Sequence, residues 1–139
     1  MKLSSKGRYA VMALTDLAKF DPKGPVSLRD ISLRQGISLV YLEQLFLKLK
    51  KNKIVRSIRG NKGGYVLLKK PSEIKIYDIF SAVDEKIKTI GCEKHSKQGC
   101  NGRSSKCITH DLWDELEDYL KIFFKKKNLG DLVNQTRFN

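Results

Sequence analysis

Three cysteines and a histidine in the second half of the chain have the residue types of a metal or cluster site. Cys92, Cys100 and Cys107 lie within 16 residues, and His110 follows Cys107 after two intervening positions. An odd number of clustered cysteines is not typical of a disulfide framework. Thiolate ligands select iron–sulfur clusters, zinc or cuprous copper. The segment therefore indicates metal, cluster or redox chemistry.

The spacing of these ligands favours a cluster. Structural zinc usually binds cysteine pairs separated by two to four residues, and no two cysteines here are that close. A cluster contains more than one iron, so its ligands can arrive as separated pairs. We expect Cys92, Cys100, Cys107 and His110 to bind an iron–sulfur cluster. The alternatives are structural zinc, a thiol-based redox or nitric oxide sensor, and free thiols beside a surface histidine. His95 is a competing imidazole, but it lies in a polar loop without helical support.

An enzyme is the alternative of a different class. Thiol–disulfide exchange would use the cysteines, but the chain has no Cys-x-x-Cys pair and no thioredoxin-like βαβ pattern. It also has no Ser/His/Asp set, no phosphate loop and no carboxylate pair with a geometric reason to form an active site. We predict that the chain is not an enzyme.

The positive charge of the chain is concentrated in its first half. Residues 1–70 contain 16 Lys and Arg against 4 Asp and Glu, a net charge of +12, whereas residues 71–139 contain 12 against 11, a net charge of +1. Such asymmetry favours a polyanionic partner for the first half, and nucleic acid is the leading candidate. A solvated, lysine-rich surface is the alternative.

The first half also has the pattern of a helix-turn-helix. Apolar residues at helical spacing predict helices over 4–20, from Ser27 to about Gln35, and from Ser38 to about Lys51. Ser27 and Asp30 form a capping-box-like start, and Ser38 is a good N-cap. Gly36 permits the tight turn between the second and third helices.

A β-hairpin follows the helix-turn-helix. Residues 54–59 and 65–68 are strand-like, and residues 60–64 contain three glycines and an asparagine, which is typical of a hairpin tip. A short helix over 76–83 completes the unit. We therefore predict a mostly α fold with a small β-hairpin wing, that is, a winged helix-turn-helix DNA-binding domain over residues 1–84.

The remainder is predicted to be a cysteine-containing loop over 85–108, then a long helix and a short tail over 109–139. Thr109 can cap this helix, which runs to about Lys127. Its apolar stripe is wider than one small core needs, and this favours a dimerisation helix. The stripe contains Leu112, Leu116, Tyr119, Leu120 and Phe123, widened by Trp113 and Phe124.

The second helix of a helix-turn-helix enters the major groove with its first turns facing the bases. Gln44 can pair with adenine and Glu43 can accept a hydrogen bond from cytosine. Ser38 and Tyr41 lie beside them, although Tyr41 can equally be a core residue and Glu43 an ordinary exposed one. On the wing, Arg59 and Lys62 flank Gly60 and are placed to enter a minor groove. Double-stranded DNA is the expected partner.

No segment approaches the roughly 20 apolar residues that a membrane span needs. The first eight residues are mostly polar and lack the apolar run of a secretory signal. We expect a cytoplasmic protein with no membrane partner.

These residues also resemble the iron–sulfur cluster regulators of the Rrf-type winged-helix family. The resemblance extends from Met1 to about Asn134. It is carried by the segments Leu3–Ala10, Gly36–Ser38, Tyr41–Phe46, Arg59–Gly60, Gly63–Tyr65, Ser81–Glu85 and Cys107–His110, and by Trp113.

The resemblance implies a homodimer joined through the long C-terminal helix. It implies a [2Fe–2S] cluster on Cys92, Cys100, Cys107 and His110, received from a cluster donor scaffold. It also implies control, mainly repression, of cluster-assembly genes. In such families the cluster-free protein can bind a second class of sites, and Glu43 matches the discriminating position. The wider cysteine spacing and Val40, where a serine is usual, depart from the family pattern.

Overall fold

The computed structural model describes residues 3–88 and 108–135. These ranges contain helices and one two-stranded antiparallel sheet, which confirms the predicted mostly α class with a hairpin wing. The elements are α1 (Ser5–Phe20), α2 (Leu28–Gln35), α3 (Leu39–Lys51), β1 (Val55–Ile58), β2 (Gly64–Leu67), α4 (Ile76–Ala82), α5 (His110–Lys126) and α6 (Leu129–Val133).

The core forms around α1, whose small and aliphatic residues recur every three or four positions. Ala10, Ala13, Leu14 and Leu17 are fully buried there. The inner faces of α3 and α4 pack into the same cluster. Burying a leucine-sized side chain contributes about 1.5–3 kcal/mol relative to exposure, so this cluster fixes where α3 can lie.

The helix-turn-helix has the predicted boundaries. The Ser27 hydroxyl accepts a hydrogen bond from the Asp30 N–H at 3.1 Å, and the Ser38 hydroxyl accepts one from the Tyr41 N–H at 3.4 Å. Each serine therefore satisfies a backbone donor at the start of its helix. Gly36 ends α2 in the left-handed conformation with φ of 67°, so the chain reverses there at no steric cost.

A partly buried ion pair, in which Asp16 is buried and Arg34 is partly exposed, ties α2 to α1. Arg34 donates to Asp16 through Nε at 2.9 Å and through a terminal nitrogen at 2.7 Å, and Gln35 Nε2 donates to the same carboxylate at 2.9 Å. The Arg34 guanidinium also lies 4.0 Å from the centre of the Phe20 ring. These contacts fix the end of α2 immediately before the turn into α3.

The hairpin pairs Val55 with Leu67 and Ile58 with Gly64. On its other side, Tyr65 exchanges backbone hydrogen bonds with Val26 at 2.8 and 3.0 Å. The Tyr65 ring packs edge-on against Phe46 of α3, with ring centres 5.0 Å apart. The wing is thus held against both the entry to α2 and the inner face of α3.

The C-terminal part differs from expectation in two ways. Thr109 occupies the N-cap position of α5 without making a side-chain cap hydrogen bond. It accepts instead from Trp113 Nε1 at 3.1 Å, which means that the prediction of a Thr109 cap was wrong. The second difference is α6, which falls where a tail was predicted.

Helix α6 begins with a complete capping box between Asn128 and Asp131. Leu129 is fully buried in the core, and its N–H donates to the Ile74 carbonyl at 2.9 Å. Five residues are too few to show a helical period, so the sequence pattern did not reveal this element. Across residues 3–88 and 108–135, no helix is long and apolar enough to cross a membrane.

Candidate functional site

Helix α3 presents the predicted base-reading residues on its outer face. Glu43 and Gln44 are exposed, as is Ser38 at the N-cap. The opposite face is buried in the core through Leu42, Leu45, Phe46 and Leu49. The core therefore orients Glu43 and Gln44 towards solvent, where base edges can reach them.

Tyr41 has two environments. Its ring is half-buried and lies edge-on to Tyr9, with centres 5.9 Å apart. Its hydroxyl lies 3.2 Å from the Ser5 hydroxyl at the start of α1. Tyr41 thus links α1 to α3 and still carries a polar group beside the outer face. The sequence pattern did not identify Ser5 and Tyr9 as its neighbours, because they are 36 and 32 positions away along the chain.

The wing places its predicted residues at the surface. Arg59, Gly60 and Lys62 are all exposed in the loop between β1 and β2, and Gly60 has φ of 120°. Lys50 of α3 donates to the Ser57 hydroxyl of β1 at 2.9 Å. This contact joins the end of α3 to the base of the wing, so the two DNA-reading elements are in direct contact.

Two adjacent acidic residues after α4 connect α3 and α1 to the chain that leads towards the cysteines. Lys48 of α3 donates to Asp84 Oδ2 at 3.0 Å, and Lys6 donates to the Asp84 carbonyl at 3.2 Å. The hydrogen bond from Lys48 holds the pKa of Asp84 below its usual value. Asp84 also has a positive φ of 60°, which Asp tolerates better than most residues.

Glu85 caps the start of α1. Its carboxylate accepts from the Ser4 hydroxyl at 2.7 and 2.8 Å and from the Gly7 N–H at 3.3 Å. Gly7 leaves little room there, since a Cβ would lie 2.7 Å from Glu85 Cγ. No local sequence pattern predicts the Lys48–Asp84 or Ser4–Glu85 contact, because the partners are 36 and 81 positions apart.

His110 is the one predicted cluster ligand within the described residues. It is the first residue of α5, it is 2% exposed, and its Nε2 lies 3.1 Å from Asp114 Oδ2 one turn later. Cys92, Cys100 and Cys107 lie outside the described residues. Within the ranges that are described, no group of three or more His, Cys, Asp or Glu residues is arranged to hold a metal ion.

Helix α5 carries two apolar faces. Leu120 and Phe124 pack against the core, and Phe124 lies 4.9 Å from the Phe80 ring of α4. On the other face, Leu112, Tyr119 and Phe123 are 57%, 64% and 51% exposed. The stripe predicted from the sequence is therefore divided: three of its residues are exposed, and the other four, Trp113, Leu116, Leu120 and Phe124, are half-buried.

Comparison with known proteins agrees with this architecture. Residues 3–135 match the Rrf2 family, described as iron-dependent transcriptional regulators. The chain is 52% identical over 134 residues to the HTH-type transcriptional regulator IscR of Escherichia coli O1:K1, covering 96% of this chain and 81% of the relative.

Solved structures show the same fold. IscR of T. potens superposes with a TM-score of 0.74 at 34% identity, covering 96% of this chain and 86% of that one. The global cysteine regulator CymR of B. subtilis superposes with a TM-score of 0.78 at 32% identity, covering 96% of both chains.

These relatives are transcription regulators and not enzymes, in agreement with the prediction from the sequence. The winged helix-turn-helix and its outward-facing α3 supply the matching DNA-binding architecture. The chain is an IscR-like, DNA-binding transcription regulator that belongs to the Rrf2 family.

Proposed function

We propose that the protein is a homodimeric repressor of iron–sulfur cluster assembly genes, and that a [2Fe–2S] cluster on Cys92, Cys100, Cys107 and His110 controls its choice of DNA. The observation that carries this proposal is His110, a buried imidazole at the start of α5 with a carboxylate beside it. The 52% identity to a protein named IscR supports the same interpretation.

The donor set fits such a cluster. Three thiolates and one imidazole are soft and borderline ligands of the kind that [2Fe–2S] centres use. A histidine that ligates a metal usually has its second ring nitrogen bonded to a carboxylate or carbonyl. The Asp114 carboxylate lies 3.1 Å from His110 Nε2 but not at a hydrogen-bonding angle, so a turn of the imidazole would be needed to give it that role. When bound, the cluster would report that iron–sulfur clusters are in supply, because the site would stay empty when they are scarce.

In this proposal the chain's own residues connect the cluster site to DNA. Asp84 and Glu85 precede the segment that contains Cys92, and they contact Lys48 of α3 and Ser4, the N-cap residue of α1. A change in the position of this segment would therefore act directly on the recognition helix and on the start of α1. Ligand and DNA would then bias one equilibrium by reciprocal linkage.

The exposed face of α5 supports a dimer. Leu112, Leu116, Tyr119 and Phe123 recur at a spacing of three or four residues along one side of the helix, and three of them are more than half exposed. Two copies of this face can pack against each other in a symmetric dimer. The dimer would present two copies of α3 to two half-sites of an operator. We expect it to act in the cytoplasm and to receive its cluster from a donor scaffold.

The direct test is anaerobic purification of the full chain, followed by absorption spectroscopy and by iron, sulfide and zinc analysis. We expect a coloured protein with about two iron and two sulfide per chain. Cys107→Ser and His110→Ala should lose or alter the spectrum, whereas His95→Ala, a matched control, should retain it. A colourless, zinc-containing protein would indicate the structural zinc alternative. A metal-free protein that forms one disulfide under mild oxidant would indicate a thiol-based redox sensor.

A further inference from the structure

The outer face of α3 carries two exposed aliphatic side chains that the base-reading residues do not explain. Val40 is 63% exposed and Leu47 is 65% exposed, although the same helix buries Leu42, Leu45 and Leu49 almost completely. Aliphatic side chains this exposed bury little apolar surface in the single chain and so contribute little to its stability. Because both lie on the outer face of α3, beside Glu43 and Gln44, a bound partner would contact them.

Val40 and Leu47 are seven positions apart and so lie on nearly the same line along the helix. Glu43 and Gln44 fall between them, three and four positions from Val40, and are exposed on the same side. On the outer face, the polar pair Glu43 and Gln44 therefore has one aliphatic side chain on either side of it along the helix. At a rise of 1.5 Å per residue, the two aliphatic residues are separated by roughly 10 Å along the helix.

The charge around this face favours DNA over another protein as its occupant. Lys50, Lys51 and Lys53 are exposed at the end of α3, and Arg59 and Lys62 are exposed on the wing. A protein or lipid surface would have to match this positive charge and the aliphatic pair together. The major groove does so, because phosphates line it and the thymine 5-methyl is its distinctive apolar group.

We infer that Val40 and Leu47 each contact a thymine methyl group in the operator, so that the half-site carries thymines on both sides of the bases that Glu43 and Gln44 read. This inference rests on DNA binding through α3. It adds an apolar component to the specificity of the protein.

The test begins by selecting bound duplexes from a random-sequence library with the full-length protein. In the best duplex, each thymine is then replaced singly by deoxyuridine, which removes only the methyl group. We expect about fourfold weaker binding at the contacted thymines, the loss of one buried methyl-sized group. Val40→Ala should abolish the effect at one position of the half-site, and Leu47→Ala should abolish it at another.

The variants keep the fold, because both positions are exposed and alanine favours helix. Leu33→Ala on α2, where the side chain is 76% exposed, is the matched control and should retain full sensitivity to deoxyuridine. Unchanged affinity at every deoxyuridine position would overturn the inference, and so would sensitivity that survives in both α3 variants. A library that yields no preferred duplex at all would overturn sequence recognition through α3, and this inference with it, whereas the two outcomes above overturn the methyl contacts alone.

Discussion

Lys48 and Asp84 form a 3.0 Å ion pair between the recognition helix and the chain that follows α4. Both side chains are largely exposed, so the pair adds little to the overall stability. Its importance lies in its position, because it joins the DNA-reading element to the segment that leads towards Cys92. The same short segment contacts the start of α1 through Glu85.

The Lys48–Asp84 pair should give a small pH dependence to stability. The pKa of Asp84 is lowered in the folded state by the hydrogen bond from Lys48. Its contribution is therefore present above the unfolded pKa, near 4, and is lost as the pH falls through the folded value. Asp84→Asn removes the charge, and asparagine tolerates the positive φ at this position as aspartate does. Urea unfolding should show a deficit in this variant at neutral pH that disappears in acid.

Lys48→Met provides the control for that measurement. In this background the neutral-pH deficit of Asp84→Asn should largely vanish, because the main partner is gone. A deficit of the same size in both backgrounds would mean that Asp84 acts through another contact.

Gly7→Ala should destabilise the protein, although alanine is the better helix former. The added Cβ would lie 2.7 Å from Glu85 Cγ and 3.0 Å from Phe80 Cδ1. Overpacking of this kind costs about 1–3 kcal/mol, more than the roughly 1 kcal/mol that helix propensity returns. The free energy of unfolding in urea measures the balance. A more stable Gly7→Ala variant would show that the Glu85 side chain moves away from the added Cβ at no cost in stability.

Arg59→Ala should weaken binding to the selected operator by about 1–3 kcal/mol if Arg59 makes a specific groove contact. Fluorescence anisotropy at several salt concentrations measures this loss. The affinity of the unmodified protein should fall steeply with salt, with a slope of roughly 0.9 for each phosphate neutralised. The affinity of Lys23→Ala, which removes another exposed cation of the first half, is compared with that of Arg59→Ala. Affinity that is flat between low and moderate salt contradicts the proposed interface.

Asp114→Asn should weaken cluster retention. Asp114 is placed as a positioning residue, 3.1 Å from His110 Nε2, and loss of such a partner typically costs 10- to 100-fold in metal affinity. Transfer of iron to a chelator from anaerobic protein measures retention, and the electron paramagnetic resonance spectrum of the reduced cluster reports on the histidine ligand. Asp111→Asn, on the exposed side of the same turn, should leave both unchanged. An unaltered spectrum and chelation rate in Asp114→Asn rule out this role.

Tyr119→Glu should dissociate the dimer. The ring is 64% exposed in the single chain, and a charge buried at the centre of an apolar interface is strongly unfavourable. Sedimentation velocity should show a monomer, while far-UV circular dichroism stays native. Lys125→Gln, exposed on α5 about 120° around the helix from Tyr119, is the control. A dimer that persists in Tyr119→Glu places the interface elsewhere.

The sequence predicted the elements that have a local signature. Helical spacing gave α1 to α5 nearly to their ends, and the Gly-rich tip gave the wing. Ser27 and Ser38 were correctly identified as caps because the N-cap bond spans only three residues. The outward placement of Glu43 and Gln44 followed from the buried stripe on the opposite face of α3.

Contacts between distant residues had no such signature. Asp84 meets Lys48 across 36 positions, and Ser4 meets Glu85 across 81. Helix α6 was missed because its five residues are held by pairing with Ile74 and Lys75 rather than by their own period. The division of α5 into a packed face and an exposed face also depends on where α4 lies.

One titration tests most directly whether cluster occupancy changes DNA binding. A single anaerobic preparation is divided, the cluster is removed from half of it, and both halves are titrated against the selected operator duplex at one salt concentration. We predict that the two halves differ in affinity by tenfold or more, a coupling of about 1.4 kcal/mol. Identical affinities for halves that differ only in bound iron and sulfide would contradict the account and leave a DNA-binding protein without a cluster switch.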